Sequence, residues 1–157
     1  WPNDLVVLDG ADPRGYRKLG GVLLEVLSAD RQSCAIAIGF GLNLQAHSGT
    51  REVGGIALDE LHGDLGRSSR ALVQRAIAGI QAETERYRRS NPLHRFDRWL
   101  ERSIMHGAFV ECFDGARTIA GRVDGLDQHG GLVIRTDCGE RRSVYAGEVT
   151  VQHVTRN

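Results

Sequence analysis

The chain has 157 residues, a mass of 17.2 kDa and a formal net charge of zero. Its 41% hydrophobic and 25% charged content is typical of a globular protein with one ordinary domain or two small ones. Neutrality argues against nucleic-acid or membrane-surface binding, because both require a basic field, although a local basic patch stays open. No apolar run approaches the roughly 20 residues of a transmembrane helix, and no signal-peptide pattern opens the sequence.

The number and spacing of the cysteines indicate the compartment of the protein. Cys34, Cys112 and Cys138 are widely spaced, odd in number and form no C-x-x-C pair, so the sequence predicts neither a zinc site nor a disulfide framework. A reducing cytoplasm is the simplest location for such a chain. We therefore expect a cytoplasmic protein with no membrane association and no metal site built from cysteine or histidine clusters.

The first hundred residues contain two kinds of pattern. Apolar, β-branched runs separated by turn-forming residues cover residues 4–8, 18–27 and 33–42, with residues 10–16 as a Gly/Pro-containing loop. These runs predict three strands in a meander, packed on one face by helices. Two amphipathic helices are predicted next. Apolar residues at three- and four-residue steps indicate one helix over residues 68–87, capped by Ser68 or Ser69, and a shorter one over residues 92–102.

The helical period disappears after His106. Five short runs separated by Gly-containing turns follow, at residues 109–113, 117–126, 132–136, 142–145 and 149–154. Short strands at this spacing indicate a small SH3-like β-barrel. The predicted fold class is α+β, with residues 1–104 as a mixed sheet with packed helices and residues 105–157 as the barrel.

The candidate chemistry lies in three clusters of the first domain. Trp1-Pro2-Asn3-Asp4 precedes the first strand, and Arg17-Lys18-Leu19-Gly20-Gly21 opens the second with the only lysine beside 19 arginines. Ile38-Gly39-Phe40-Gly41-Leu42-Asn43 ends the third strand with glycines two residues apart, on one face. Such glycines let a ligand lie against backbone, but each cluster alone also fits a bulge, a packing site or turn chemistry.

The order of these motifs resembles the biotin–protein ligase family. That family carries a (K)WPND segment, a K-(L/I)-(A/G)-G-(I/V)-L-x-E strand and an I-G-x-G-x-N strand in the same order along the chain. The resemblance continues through Leu58-Asp59-Glu60-Leu61, the helix pair, Arg98-Trp99 and the terminal residues, where the family has an SH3-like module. It therefore covers essentially the whole chain, and it implies part of a biotin/lipoate ligase-like sheet in residues 1–104.

The resemblance implies an ATP- and Mg²⁺-dependent enzyme. Such an enzyme joins biotin to AMP and passes biotin to a lysine of a biotin carboxyl-carrier domain. Lys18 would contact the biotin carboxylate and the α-phosphate, and Asp4 would orient the incoming lysine amine. The resemblance also gives a set of binding residues: the glycine floor for biotin would be Gly21, Gly39 and Gly41, Asn43 would help hold ATP phosphates or the metal, and Asn3 would support the same wall.

Departures from the family pattern limit this expectation. The family's Gly/Arg-rich loop is absent from this sequence, as is the lysine that usually precedes Trp1. Because the sequence begins with Trp1 and not with methionine, we expect a chain entered midway, with further residues upstream of Trp1. We expect the chain alone to form no biotinyl-AMP, and an exposed sheet edge would invite pairing of two copies. Two alternatives stay open, a lipoate–protein ligase and a non-catalytic module that binds a carrier domain.

Overall fold

A computed structural model describes residues 1–61, 69–89, 92–113, 115–145 and 147–153 of the chain. These ranges contain helices and antiparallel strands, as the α+β prediction requires. The chain divides into two compact units, one of Pro2–Val73 and one of Gln74–Asn157 together with Trp1. The predicted domain boundary between residues 104 and 105 stays a prediction. None of the helices in the described ranges combines the length and apolar character needed to cross a bilayer.

The first unit is built on a three-stranded antiparallel meander, as predicted. Its strands are β1 (Asp4–Leu8), β2 (Tyr16–Ala29) and β3 (Cys34–Leu42), with β2 in the centre. The sequence explains the tight turn after β2, where an Asp30 carboxylate oxygen accepts hydrogen bonds from the backbone N–H groups of Gln32 and Ser33, both at 2.7 Å. These bonds stabilise the ionised carboxylate and lower the pKa of Asp30.

The two faces of this sheet differ in character. Gly21 of β2 lies opposite Gly41 of β3, whereas Leu24 lies opposite Ile38 on the other face, because side chains alternate along a strand. Leu24 and Val26 are 59% and 66% exposed. This face of the meander is therefore apolar and exposed at these two positions, and the packing of helices on the sheet stays a prediction.

Two short helices that the sequence did not predict follow β3. They are α1 (Ser48–Glu52) and α2 (Leu58–Leu61). Between them Ile56 and Ala57 are buried, and Glu60 accepts a hydrogen bond from the Ala57 N–H at 3.0 Å, which satisfies a donor that the start of α2 leaves free. This segment matters for the site because it runs alongside the beginning of β2, with Lys18 bridged to Gly55 in parallel.

The two longer helices occur close to their predicted positions. They are α3 (Ser69–Arg89) and α4 (Pro92–Leu100). The predicted apolar stripe of α3 is only partly covered, since Val73 and Ile77 are 44% and 46% exposed. In α4, Phe96, Trp99 and Leu100 are half-buried, in keeping with the predicted inner stripe. The proposed cap Ser68 lies outside the described residues, as do the side chains of residues 92–95.

The last five strands form one antiparallel sheet in the order β7-β6-β5-β4-β8. Each begins and ends within two residues of its prediction, as the following bounds show: β4 (Phe109–Phe113), β5 (Thr118–Leu126), β6 (Leu132–Arg135), β7 (Arg141–Val144) and β8 (Glu148–His153). Val110, Cys112, Val123, Leu132 and Ile134 form a buried face. No ladder joins the edge strands β7 and β8 within the described residues, so a closed barrel is not found there.

Candidate functional site

All seven site residues predicted from the sequence line one cleft on the meander. The cleft has a volume of about 440 Å³ and lies where β1, β2 and β3 run side by side. Other lining residues come from the same strands and include Leu23 and Phe40. The structure thus brings together residues up to 40 positions apart in the chain, namely Asn3, Asp4, Lys18, Gly21, Gly39, Gly41 and Asn43.

The glycines of the cleft floor leave room that the protein itself does not fill. A Cβ atom built on Gly41 meets nothing within 4 Å, and one built on Gly39 meets only the Leu23 carbonyl oxygen, at 4.0 Å. Neither residue has the positive φ that would require glycine. Folding therefore does not explain their identity, whereas a ligand lying directly on the backbone would.

At Gly20 and Gly21 of β2, neighbouring atoms of the protein itself limit the space for a side chain. A Cβ on Gly20 would overlap the carbonyl oxygen of Gly41, so this residue, buried on the other face, must be glycine for the strands to pair. A Cβ on Gly21 would lie 3.4 Å from the Asn3 carbonyl oxygen and 3.5 Å from Asp4 Oδ1, which is tight but ordinary contact. The sequence does not distinguish these cases, because the difference depends on cross-strand neighbours.

Lys18 and Asp4 form an ion pair at one end of this floor. The distance from Lys18 Nζ to Asp4 Oδ1 is 2.6 Å, and the two side chains are 52% and 41% exposed. Asp4 lies opposite Gly21 in the register of β1 and β2, so the pair borders the glycine floor. An ion pair this exposed contributes only about 0–1 kcal/mol, so both charges can be redirected to a bound ligand at small cost.

The backbone of Lys18 is held more firmly than its side chain. Its carbonyl oxygen accepts hydrogen bonds from the Ile56 N–H at 2.8 Å and from Asn43 Nδ2 at 3.3 Å. Asn43 Nδ2 also donates to the Ile56 carbonyl oxygen at 3.2 Å. A β-bulge between Leu5 and Val6 in the pairing with β2 places Leu19 as the extra residue, and bulges re-aim nearby side chains. The Lys18 ammonium is thus exposed, whereas hydrogen bonds hold the backbone that carries it.

This arrangement bears on the predicted role of Asn43. Both amide hydrogens of Nδ2 are directed at backbone carbonyls, so a ligand could use only the Oδ1 oxygen without breaking the clamp. Phosphate oxygens accept hydrogen bonds and do not donate them. A direct contact of Asn43 with phosphate would therefore cost the link between β2 and the segment before α2, whereas Oδ1 remains suited to a metal ion or a ligand N–H.

Arg17 is a structural residue of the site that sequence reasoning missed. Its side chain is 19% exposed, and its guanidinium donates to the Gly55 carbonyl oxygen through both Nε, at 2.9 Å, and Nη2. Carboxylates of Asp9 and Glu60 lie 3.8 Å and 3.6 Å from its nitrogens. Because side chains alternate along a strand, Arg17 and Lys18 lie on opposite faces of β2. This alternation could have indicated that Arg17 does not face the cleft and has a structural role.

The loop between β1 and β2 is also ordered by charge. Arg14 donates to both carboxylate oxygens of Asp12, each at 3.0 Å, and to the Gly54 carbonyl oxygen at 3.0 Å. Hydrogen bonds from Arg14 lower the pKa of Asp12 to about 2. The Arg14 guanidinium carbon lies 5.5 Å from the centre of the Tyr16 ring. The loop therefore anchors the start of β2 to the segment around Gly54, next to the cleft.

Among the described residues, no cluster of three or more His, Cys, Asp and Glu side chains could hold a metal ion. Asp4 is the only carboxylate residue among those lining the cleft. A magnesium ion in this cleft would depend largely on oxygens supplied by a bound phosphate compound, which is how Mg²⁺ commonly binds in nucleotide sites.

The chain is similar in sequence to known proteins over almost its whole length. A family model described as "Biotin protein ligase C terminal domain" matches residues 112–151. The bifunctional ligase/repressor BirA of Salmonella typhimurium is 28% identical over 155 residues, covering 97% of this chain and 45% of that protein. A biotin–[acetyl-CoA-carboxylase] ligase of Paracoccus denitrificans is 30% identical, covering 95% of this chain and 60% of that protein.

Solved structures show the same likeness in fold. The apo structure of biotin protein ligase from Aquifex aeolicus superimposes with a TM-score of 0.74 at 21% identity, covering 96% of this chain and 63% of that one. The same ligase in complex with biotin and ATP gives a TM-score of 0.68 at 19% identity, covering 86% and 56%. The chain spans about half the length of the curated relatives it matches.

Proposed function

Because the chain belongs to the biotin protein ligase family and corresponds to its C-terminal part, we propose that its cleft forms part of a biotin-adenylating active site. The enzyme would use ATP to convert biotin to biotinyl-5′-AMP and would then transfer biotin to a lysine of a biotin carboxyl-carrier domain. The observation that carries this proposal is the open space above Gly39 and Gly41, next to the exposed Lys18–Asp4 pair. A flat ligand with an anionic tail suits this combination.

The first step places negative charge beside Lys18. A carboxylate oxygen of biotin attacks the α-phosphorus of ATP, the bond to the β-phosphate oxygen breaks, and pyrophosphate leaves. Charge accumulates on the α-phosphate oxygens in the transition state, where a positioned cation stabilises it. Lys18 supplies that cation on a fixed backbone, and its exposed ion pair with Asp4 can be exchanged for the phosphate.

The second step uses the other partner of the ion pair. The amine of the carrier lysine attacks the acyl carbon of biotinyl-AMP, an amide bond forms, and AMP leaves with the electron pair of the broken bond. The attacking amine must lose a proton, which Asp4 can accept once Lys18 has turned to the phosphate. The 41% exposure of the Asp4 side chain leaves it accessible to a lysine approaching from outside.

The remaining cleft residues would bind rather than react. Gly21, Gly39 and Gly41 would floor the fused rings of biotin, and Asn3 would support the wall through its carbonyl oxygen, which accepts the Val22 N–H at 2.8 Å. Asn43 Oδ1 and the Asp4 carboxylate are oxygens of the cleft lining that could contact Mg²⁺. The ion would neutralise charge on the ATP phosphates. The clamp made by Asn43 Nδ2 makes a direct phosphate contact the less favourable part of its predicted role.

The isolated 157-residue chain should fall short of full activity. It spans 45% to 60% of the relatives it matches, and its sequence contains no Gly/Arg-rich loop of the kind that encloses the adenylate in the family. We therefore propose that the chain supplies one wall of the pocket. The division at residues 104/105 and the assignment of residues 105–157 to an SH3-like module belong to the same proposal, supported by the order of strands β4–β8.

A pyrophosphate-exchange assay tests the proposed function. Biotin-dependent exchange of labelled pyrophosphate into ATP should be absent with the purified chain and present with a longer chain that contains it. In that longer chain Lys18→Arg should lower the exchange rate, because the planar guanidinium does not reproduce a compact ammonium. An unchanged rate in Lys18→Arg would remove the residue from its role. Exchange that depends on lipoate instead of biotin would overturn the substrate assignment.

A further inference from the structure

The outer face of the C-terminal sheet carries a row of arginines that the proposed function does not use. Arg122 of β5 lies opposite Arg135 of β6, and Arg135 lies opposite Arg141 of β7. Residues directly opposite on antiparallel strands project from the same face. All three are exposed, and the row continues on β4 with Phe109, which pairs with Arg122 and is half-buried.

Folding alone gives no reason for this row. Strands lie about 4.8 Å apart, and like charges directly opposite each other destabilise a sheet. Asp124 is the carboxylate that offsets them, at 3.3 Å from Arg135 Nη2 and 3.1 Å from Arg141 Nε. Arg122 donates instead to the Gly107 carbonyl oxygen at 3.2 Å. Within the described residues Asp124 is the carboxylate that pairs with this row, so the three arginines carry more positive charge than it neutralises, on a face that any polar residues could cover.

We propose that Arg122, Arg135 and Arg141, the arginine row, bind an acidic helical segment of a partner protein. Carboxylates three or four residues apart on a helix lie about 5–6 Å from each other, close to the roughly 5 Å step between neighbouring strands. A guanidinium fork also matches carboxylate geometry. Phe109 at the end of the row supplies an apolar contact of the kind found beside charged groups in protein interfaces.

The surrounding charges favour a polypeptide over a nucleic acid. Asp124 lies within the row, and Glu111 is exposed two residues along β4 from Phe109. A polyphosphate chain would meet these carboxylates as it left the row, and the chain as a whole has a net charge of zero. A helix with one acidic face would place its carboxylates only along the three strands that carry the arginines, so it would not meet the repulsion that a longer polyanion would meet. This surface lies outside the cleft residues, so the proposal does not depend on adenylation.

Fluorescence anisotropy with the 157-residue chain at low ionic strength tests the proposal. The probe is a labelled alanine-rich helical peptide with glutamates at positions i, i+4 and i+7. The comparison ligands are an isomer with the glutamates on different faces and a short single-stranded oligothymidylate. The variants are the double substitution Arg122→Gln/Arg135→Gln and a matched control, Arg75→Gln/Arg89→Gln, which removes the same charge from exposed positions of α3.

The one-faced peptide should bind most tightly, and the Arg122→Gln/Arg135→Gln variant should bind it about tenfold more weakly, since each exposed ion pair contributes at most a few-fold. The control variant should bind like the original chain. Equal urea midpoints for all variants would exclude unfolding as the cause. Failure to bind the peptide, equal binding of the two peptide isomers, equal weakening in the control, or tighter binding of the oligothymidylate would each overturn the proposal.

Discussion

Replacing Gly41 by alanine should weaken ligand binding without lowering the free energy of unfolding. The added Cβ meets nothing within 4 Å, and glycine in a strand interior is about 0.5–1 kcal/mol less stable than alanine. The free energy of unfolding should therefore stay the same or rise by up to that amount. A ligand lying on the glycine floor would collide with the new methyl group. Overpacking of this kind costs about 1–3 kcal/mol, so binding should weaken by roughly 5- to 150-fold.

Two measurements on the 157-residue chain check this prediction. Urea denaturation gives the free energy of unfolding, and titration calorimetry gives the affinity for a non-hydrolysable biotinyl-adenylate analogue, which one wall of the pocket should bind weakly. Gly79→Ala is the matched control, because Gly79 of α3 also has nothing within 4 Å of an added Cβ but lies outside the cleft. Unchanged affinity in Gly41→Ala, or an equal loss in Gly79→Ala, would refute the account of the glycine floor.

Further predictions concern the frame around the cleft and the second unit. Gly20→Ala should unfold the chain or lower its urea midpoint sharply, because its Cβ would overlap the Gly41 carbonyl oxygen; an unchanged midpoint would contradict the observed strand pairing. Arg17→Leu should lower the free energy of unfolding by about 1–3 kcal/mol, since it leaves the Gly55 carbonyl without its charged donor; denaturation curves that coincide with the original would count against a stabilising role for this hydrogen bond. Leu132→Ala should cost about 2–5 kcal/mol by opening a cavity in the second unit, and a loss below 1 kcal/mol would mean that this residue is not at the centre of its core. The pKa of Asp12 is lowered to about 2, so its contribution to stability is present above pH 4 and is lost as pH falls towards 2; Asp12→Asn should flatten that part of the stability–pH curve, whereas an unaltered slope would contradict the link to Arg14.

Most of the fold was accessible from sequence because it depends on local patterns. An apolar, β-branched run bounded by turn-forming residues predicted the observed bounds of β1, and the loss of the helical period after His106 predicted the second sheet correctly. Helix α3 was placed within two residues because its apolar residues recur at helical steps. The exposure of Val73 and Ile77 could not be predicted in this way, since periodicity reports which residues share a face and not what covers them.

The parts that could not be predicted depend on distant neighbours. The parallel bridge between Lys18 and Gly55 and the bulge at Leu19 both arise where separate segments meet. The same holds for Asn43, whose amide is directed at backbone carbonyls 25 and 13 residues away. The site residues were found together because motif order pointed to them. The order of the motifs does not predict which hydrogen bonds these residues form. Helices α1 and α2 were not predicted because they are too short to show a helical period of apolar residues.

The proposed binding of biotinyl-adenylate beside Lys18 can be measured directly, because the chain has a single lysine. Reductive methylation with ¹³C keeps the charge and gives one side-chain NMR signal for Lys18, well separated from that of the terminal amine. A biotinyl-adenylate analogue should shift this signal in the original chain, free AMP should shift it less, and the shift should be lost in Gly41→Ala. A Lys18 signal that stays in place while the analogue perturbs other residues would contradict the claim.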